Sequence, residues 1–122
     1  MSYKILNQGG CACGNVRYKT IAKEEFASVC HCRYCQLRTG SAFGISVYFK
    51  SVNVELLSGD LKKFEYTTES GNSVTTQFCV ECGTSVFWNA NIFKGMTGIG
   101  GGTFDPPTFW YKIKREVFCR SK

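Results

Sequence analysis

Hydrophobic and polar residues alternate along most of this chain. Phe43, Ile45, Val47 and Phe49 are interleaved with Gly44, Ser46 and Tyr48. Val52, Val54 and Leu56 are interleaved with Asn53 and Glu55, and Val74, Thr76 and Phe78 with Thr75 and Gln77. Near the C-terminus Tyr111, Ile113, Arg115 and Val117 stand against Lys112, Lys114 and Glu116. A period of two puts alternate side chains on opposite faces of an extended chain, so these segments read as half-buried strands. Turn residues fall between them at Ser58-Gly59-Asp60, Ser70-Gly71-Asn72 and Asp105-Pro106-Pro107. No window carries a long helical stripe, and no repeat, linker or low-complexity stretch interrupts the pattern. The expectation is an all-β domain of short antiparallel strands.

The 122 residues are 43% hydrophobic, enough for one core but not two, so residues 1–122 are expected to form a single domain. The opening MSYKILNQGG has no continuous apolar segment of the signal-peptide kind, and no later run is long enough for a membrane span. A cytoplasmic chain without membrane contacts is expected.

Cysteine usage changes the picture most. Eight cysteines fall as C-x-C (Cys11, Cys13), C-x-C-x2-C (Cys30, Cys32, Cys35) and C-x2-C (Cys79, Cys82), with Cys119 alone. Residues this close rarely meet the distance and dihedral window of a disulfide, and in a reducing compartment such clusters hold metal. The formal net charge of +6 counts every thiol as neutral. Two zinc ions on seven thiolates would bring it to about +3, too mild for a nucleic-acid footprint. Lys112, Lys114 and Arg115 read accordingly as a solvated strand face.

Ligand counting divides the cysteines into two sites. Cys79-Val80-Glu81-Cys82-Gly83 has the spacing at which a tight turn aims two sulfurs at one ion, and Cys11-Ala12-Cys13 offers two more on one side of an extended chain. Four thiolates close a tetrahedron, so Cys11, Cys13, Cys79 and Cys82 suit a structural zinc; the alternative leaves Cys11 and Cys13 as buried apolar residues. Cys30, Cys32 and Cys35 are three ligands, and a catalytic zinc keeps three protein ligands and one exchangeable position. With Cys119 as a fourth ligand, this would instead be a second closed site.

The stretches G-G-C-x-C-G-x-V-R-Y (Gly9 to Tyr18), C-H-C-x-x-C followed by G-S-A-F (Cys30 to Phe43), F-C-x-x-C-G-T (Phe78 to Thr84) and G-T-F-D-P-P (Gly102 to Pro107) resemble the glutathione-dependent formaldehyde-activating enzyme family, which includes centromere protein V. The resemblance implies a β-tent of small antiparallel sheets braced by two zinc ions, with the same division into a structural and a catalytic site. It implies a carbon–sulfur lyase that joins glutathione to formaldehyde as S-(hydroxymethyl)glutathione, so a small thiol and a small aldehyde are the expected partners. The kinship with centromere protein V keeps a non-catalytic, zinc-stabilised binding module as the alternative.

Around the three-cysteine cluster, Arg33 and Arg38 are candidate receptors for the carboxylates of a peptide-like thiol. Ser41, in the loop Thr39-Gly40-Ser41, is the candidate for contact with substrate through backbone N–H groups that could face an oxyanion. His31, the only histidine, should point away from the flanking sulfurs and is read as a structural residue. Gly98-Ile99-Gly100-Gly101-Gly102 lacks the Lys-Ser/Thr of a phosphate loop and reads as turn or close strand packing. Phe109-Trp110-Tyr111 reads as core and edge packing. There the chain departs from the many relatives that carry His-Ile after the proline turn.

Overall fold

A computed structural model describes residues 6–68 and 70–117. Ten strands and one short helix follow the order β1 (Asn7–Gly10), β2 (Arg17–Thr20), β3 (Phe26–Cys30), α1 (Arg33–Thr39), β4 (Gly44–Lys50), β5 (Val54–Ser58), β6 (Leu61–Thr67), β7 (Ser73–Cys79), β8 (Ser85–Ala90), β9 (Met96–Gly100) and β10 (Ile113–Val117). Single 3₁₀ turns follow β4 and β9, at Ser51–Asn53 and Gly101–Thr103. The all-β reading holds. The alternating segments become β4, β5, β7 and β10, except that Val52 falls in the 3₁₀ turn before β5 and is exposed, and Leu56 within β5 is exposed as well. Ser58-Gly59-Asp60 joins β5 to β6, and Ser70-Gly71-Asn72 lies between β6 and β7.

The strands form two sheets, one of three strands ordered β1-β2-β5 and one of seven ordered β10-β3-β4-β9-β8-β7-β6. Neighbours are antiparallel except β10, which runs parallel to β3 at one edge of the larger sheet. Alternation along a strand sets which face is buried and carries no direction, so this parallel edge had no signature in the sequence. Helix α1 is the second departure. Its seven residues are fewer than two full turns, too few to write a helical period.

Val16, Tyr18, Val47, Phe49, Val86, Phe87, Ile99 and Phe104 form the core, with Tyr18 in edge-to-face contact with Phe87 and Phe104. Three successive buried residues, Val86, Phe87 and Trp88, are possible in β8 because a bulge sets Gln77 opposite Phe87 and Phe78 opposite Ser85. Arg17 donates from both terminal nitrogens to the Asp105 carboxylate, which holds that carboxyl below its ordinary range and fastens the Asp105-Pro106-Pro107 turn to β2. No helix among the described residues is long and apolar enough to cross a membrane.

The face of β4 that alternation assigned to solvent is not simply solvated. Ser46 and Tyr48 of β4 are as buried as Val47 and Phe49. Together with Phe26, Ser28 and Cys30 of β3, Tyr66 of β6, Val74 of β7 and Trp88 and Ala90 of β8, all at even positions, they line one cavity.

Candidate metal centres and the adjoining cavity

The first cysteine set converges from the β1–β2 turn and the end of β7. The Sγ atoms of Cys11, Cys13, Cys79 and Cys82 all lie within 4.8 Å of one another. Cys11 and Cys13 are 3.5 Å apart, and Cys13 and Cys79 3.7 Å. A tetrahedral zinc with Zn–S bonds of about 2.3 Å spaces its sulfurs about 3.8 Å apart. The donor set therefore fits such an ion. Backbone N–H groups of Val16 and Glu81 point at Cys11 and Cys79. Such bonds favour thiolates. Gly14 and Gly83 take positive φ immediately after each pair, turning the chain back so that neighbouring sulfurs face inward.

Without a cation these thiols cannot all ionise. Cys82 is lowered to about 5 by the Thr84 hydroxyl and backbone N–H. Cys13 is held down by the Asn15 N–H, yet burial and its sulfur neighbours Cys11, Cys82 and Cys79 push it up to about 12. A divalent ion removes that conflict.

The second set sits where β3 ends and α1 begins. Cys30 closes β3 opposite Gly44 of β4, Cys32 is the N-cap of α1, and Cys35 lies in its first turn. Their sulfurs are within 4.8 Å of one another, and no fourth His, Cys, Asp or Glu ligand atom joins them among the described residues. Cys119 lies outside the described residues. The Cys32 sulfur accepts from the Cys35 N–H at 3.4 Å and is lowered to about 2 by the Cys30 and Cys35 thiols, whereas Cys30 is raised by its Cys32 and Cys35 neighbours. Like charges this close keep the three thiols from all ionising together without a cation. None of the seven described cysteines is in a disulfide.

The helix separates the candidate arginines. Residues three apart share a face, so Arg38 reaches Cys35, with Nη1 3.7 Å from Sγ. Arg33, two residues before Cys35, is exposed on the other side. Arg38 is also laid over the Trp88 ring at 3.7 Å, and Trp88 donates from Nε1 to Ser46 Oγ at 3.0 Å. The room comes from Gly44, where a Cβ would fall 2.5 Å from Arg38 Nη2 and 3.3 Å from Cys35 Cβ. Ser41 faces a second, more open depression with Thr39, Gly102 and Phe109, which meets the first at Arg38 and Trp88. The loop N–H groups are already used within the loop: Gly40 caps the helix at Gln36 O and Ser41 donates to Thr39 Oγ1.

His31 is buried with Nε2 3.2 Å from Glu116 Oε1 and its ring 5.7 Å from Phe43. The glycine-rich segment packs closely: a Cβ on Gly101 would meet the Tyr111 hydroxyl at 2.3 Å, and one on Gly98 would meet Trp88 Nε1 at 2.3 Å. Trp110 packs on Phe49 and Phe104, whereas Phe109 is largely exposed.

A cavity of about 240 Å³ opens from Cys30, Cys32 and Cys35. Its walls are Phe26, Tyr48 and Phe93, mutually packed with centroids 4.9 to 5.7 Å apart, and Tyr66, stacked on Tyr34 at 4.5 Å. Burial pushes the Tyr48 and Tyr66 phenols up to about 12, so both stay protonated at neutral pH. Arg115 of β10 lies over Phe26 at 4.1 Å and also lines the cavity, rather than forming a plain solvated face with Lys112 and Lys114. These walls escaped the sequence reading because strand alternation does not distinguish a face turned to solvent from one turned to a cavity.

No curated protein matches the chain. Among solved structures, a crystal structure of a Rhodobacter sphaeroides protein superposes with a TM-score of 0.67, covering 90% of this chain and 99% of that one at 17% identity. At that identity the likeness speaks for the fold alone. Residues 6–121, carrying both cysteine sets and the cavity between the sheet and α1, match the model of the glutathione-dependent formaldehyde-activating enzyme family, and the chain belongs to that family.

Proposed function

We propose that the chain, acting as one domain, is a zinc-dependent carbon–sulfur lyase that forms or cleaves a thiol–aldehyde adduct, S-(hydroxymethyl)glutathione being the adduct of its family. The observation that carries this reading is the grouping of Cys30, Cys32 and Cys35 within 4.8 Å at the end of a cavity wide enough for an organic substrate. Cys11, Cys13, Cys79 and Cys82 would hold a structural zinc and Cys30, Cys32 and Cys35 the catalytic one. Bound there, zinc supplies the positive charge that keeps a substrate sulfur as thiolate near neutral pH.

In the forming direction the sulfur–carbon bond is made, the carbonyl π pair moves to oxygen, and the proton lost by the thiol ends on that oxygen; cleavage is the reverse. The chain's own residues arrange this. Three thiolates make the cluster anionic, and Arg38, clamped between Cys35 and Trp88, offsets that charge where an anionic sulfur must approach. Tyr48 and Tyr66, protonated, offer O–H donors to the cavity. Its aromatic walls limit water around the adduct. The unpaired thiols among the described residues suit a cytoplasmic setting.

Metal analysis with a glutathione titration of the cobalt-substituted protein tests the reading. Two ions per chain are expected, with thiolate-to-cobalt bands of one ion growing as glutathione is added. Two ions insensitive to any thiol would leave a metal-braced binding module.

Gly44→Ala gives a second check. The added methyl meets mainly the guanidinium end of Arg38 and no backbone atom, so the melting temperature should change little while the Arg38–Trp88 stack is displaced. A fall in turnover of about tenfold, with a shifted Trp88 indole N–H resonance, is expected. Unchanged turnover would remove Arg38 from the mechanism.

A further inference from the structure

The cavity at Cys30, Cys32 and Cys35 carries two guanidinium groups and no acid. Arg38 stands at the cluster, with Nη1 3.7 Å from Cys35 Sγ and Nη2 buried without a hydrogen-bond partner, so its charge acts where a sulfur would arrive. Arg115 lies over Phe26, farther along the β3 wall. Among the described residues no Asp or Glu lines the cavity, so neither charge is offset within it. Such walls attract an anionic body.

Arg115 reaches this wall through a break in strand register. β10 runs parallel to β3 and Ile113 stands beside Ala27, so an unbroken ladder would put Arg115 beside Val29, whose side chain is on the face away from the cavity. A bulge between Ile113 and Arg115 puts it beside Ser28 instead, a residue that lines the cavity. Glu116 then falls beside Val29, and its carboxylate meets His31 Nε2 at 3.2 Å. One face of the Arg115 guanidinium covers the Phe26 ring at 4.1 Å, which leaves the N–H edge of its fork to take a carboxylate in two parallel bonds.

Distance selects the carboxylate. Strand rise is about 3.3 Å per residue, so Phe26 is about 13 Å from Cys30 along β3. In extended glutathione the glycyl carboxylate lies roughly 7 Å from the sulfur and the γ-glutamyl carboxylate roughly 10 Å. One charge-assisted hydrogen bond adds about 2.8 Å, so the longer arm spans the interval and the shorter one falls short. The depression at Ser41, which meets the cavity at Arg38 and Trp88, leaves room for the shorter arm.

We propose that Arg115 is a specificity-determining residue, its guanidinium receiving the γ-glutamyl carboxylate of glutathione while the sulfur sits at Cys30, Cys32 and Cys35. This rests on the reading of the cluster as a thiol site and adds how that site tells a γ-glutamyl thiol from other small thiols. The contact is the same before and after the sulfur–carbon bond forms, so Arg115 acts on binding and leaves the reacting atoms alone.

The experiment is calorimetric titration of the zinc-loaded full chain with glutathione and with N-acetylcysteinylglycine, which keeps the sulfur and the shorter arm and lacks the longer one. Arg115→Gln removes the charge and keeps most of the stem over Phe26; the residue is exposed on an edge strand, so the fold is expected to stand. The parent should bind glutathione about tenfold more tightly than the shorter thiol, and Arg115→Gln should weaken glutathione about tenfold while the shorter thiol stays within about twofold. In turnover the same variant should raise KM for glutathione about tenfold with kcat within about twofold. Equal losses for both thiols, or a glutathione loss of less than about twofold, overturns the assignment of Arg115 and leaves the thiol site standing. A parent that binds neither thiol overturns both.

Discussion

Cys82→Ser is expected to lower the melting temperature of the metal-loaded chain by more than about 10 °C and to leave it with one tightly held ion. Serine is nearly isosteric with cysteine, and Cys82 is exposed, so no packing is lost at the site itself. An exposed change of this kind ordinarily costs less than about 0.5 kcal/mol. Anything larger must come through the ion that Cys82 would share with Cys11, Cys13 and Cys79. Structural zinc contributes on the order of 10 kcal/mol to small domains, and loss of one ligand of four forfeits a large part of it. Thermal unfolding with metal quantification is the measurement. A melting temperature within about 2 °C of the parent would show that the four sulfurs brace nothing.

Cys32→Ser is expected to do the opposite: turnover falls on the order of a thousandfold while the melting temperature barely moves. Cys32 is the N-cap of α1, its sulfur accepting from the Cys35 N–H at 3.4 Å. Serine is among the best N-cap residues, so the helix keeps its start and only a soft ligand is lost. Steady-state turnover beside circular dichroism decides the matter. If the two variants lost stability equally, the clusters would not differ in kind, and if Cys32→Ser kept its turnover, the three-cysteine cluster would not be catalytic.

The sequence made the strands legible where period two was long, as in β4 and β7, because a half-buried strand writes its faces locally. It made the grouping of the cysteines legible because C-x-C and C-x2-C spacings can present sulfurs to one ion only in a few ways. The cavity stayed hidden for a physical reason. Ser46 and Tyr48 are on the face that alternation assigns to water, and only the packing of α1 and the loop carrying Phe93 beside that face turns it inward. Arg33 and Arg38 looked equivalent in the sequence, flanking Cys35; a helix too short to announce itself set them on different sides. The parallel edge strand brought Arg115 to the cavity, and no local pattern encodes which strand becomes its neighbour.

The two cysteine sets differ in how far apart their members are along the chain. Cys30 to Cys35 lie within one strand-to-helix junction, whereas Cys13 and Cys79 are separated by 66 residues. Closing the longer loop costs about 2 kcal/mol more in chain entropy. During synthesis the junction can gather its sulfurs as soon as it leaves the ribosome, while the distant pair must wait for the β7–β8 turn. Metal would therefore arrive first at Cys30, Cys32 and Cys35, and the four-cysteine set would close last, around a cluster already assembled.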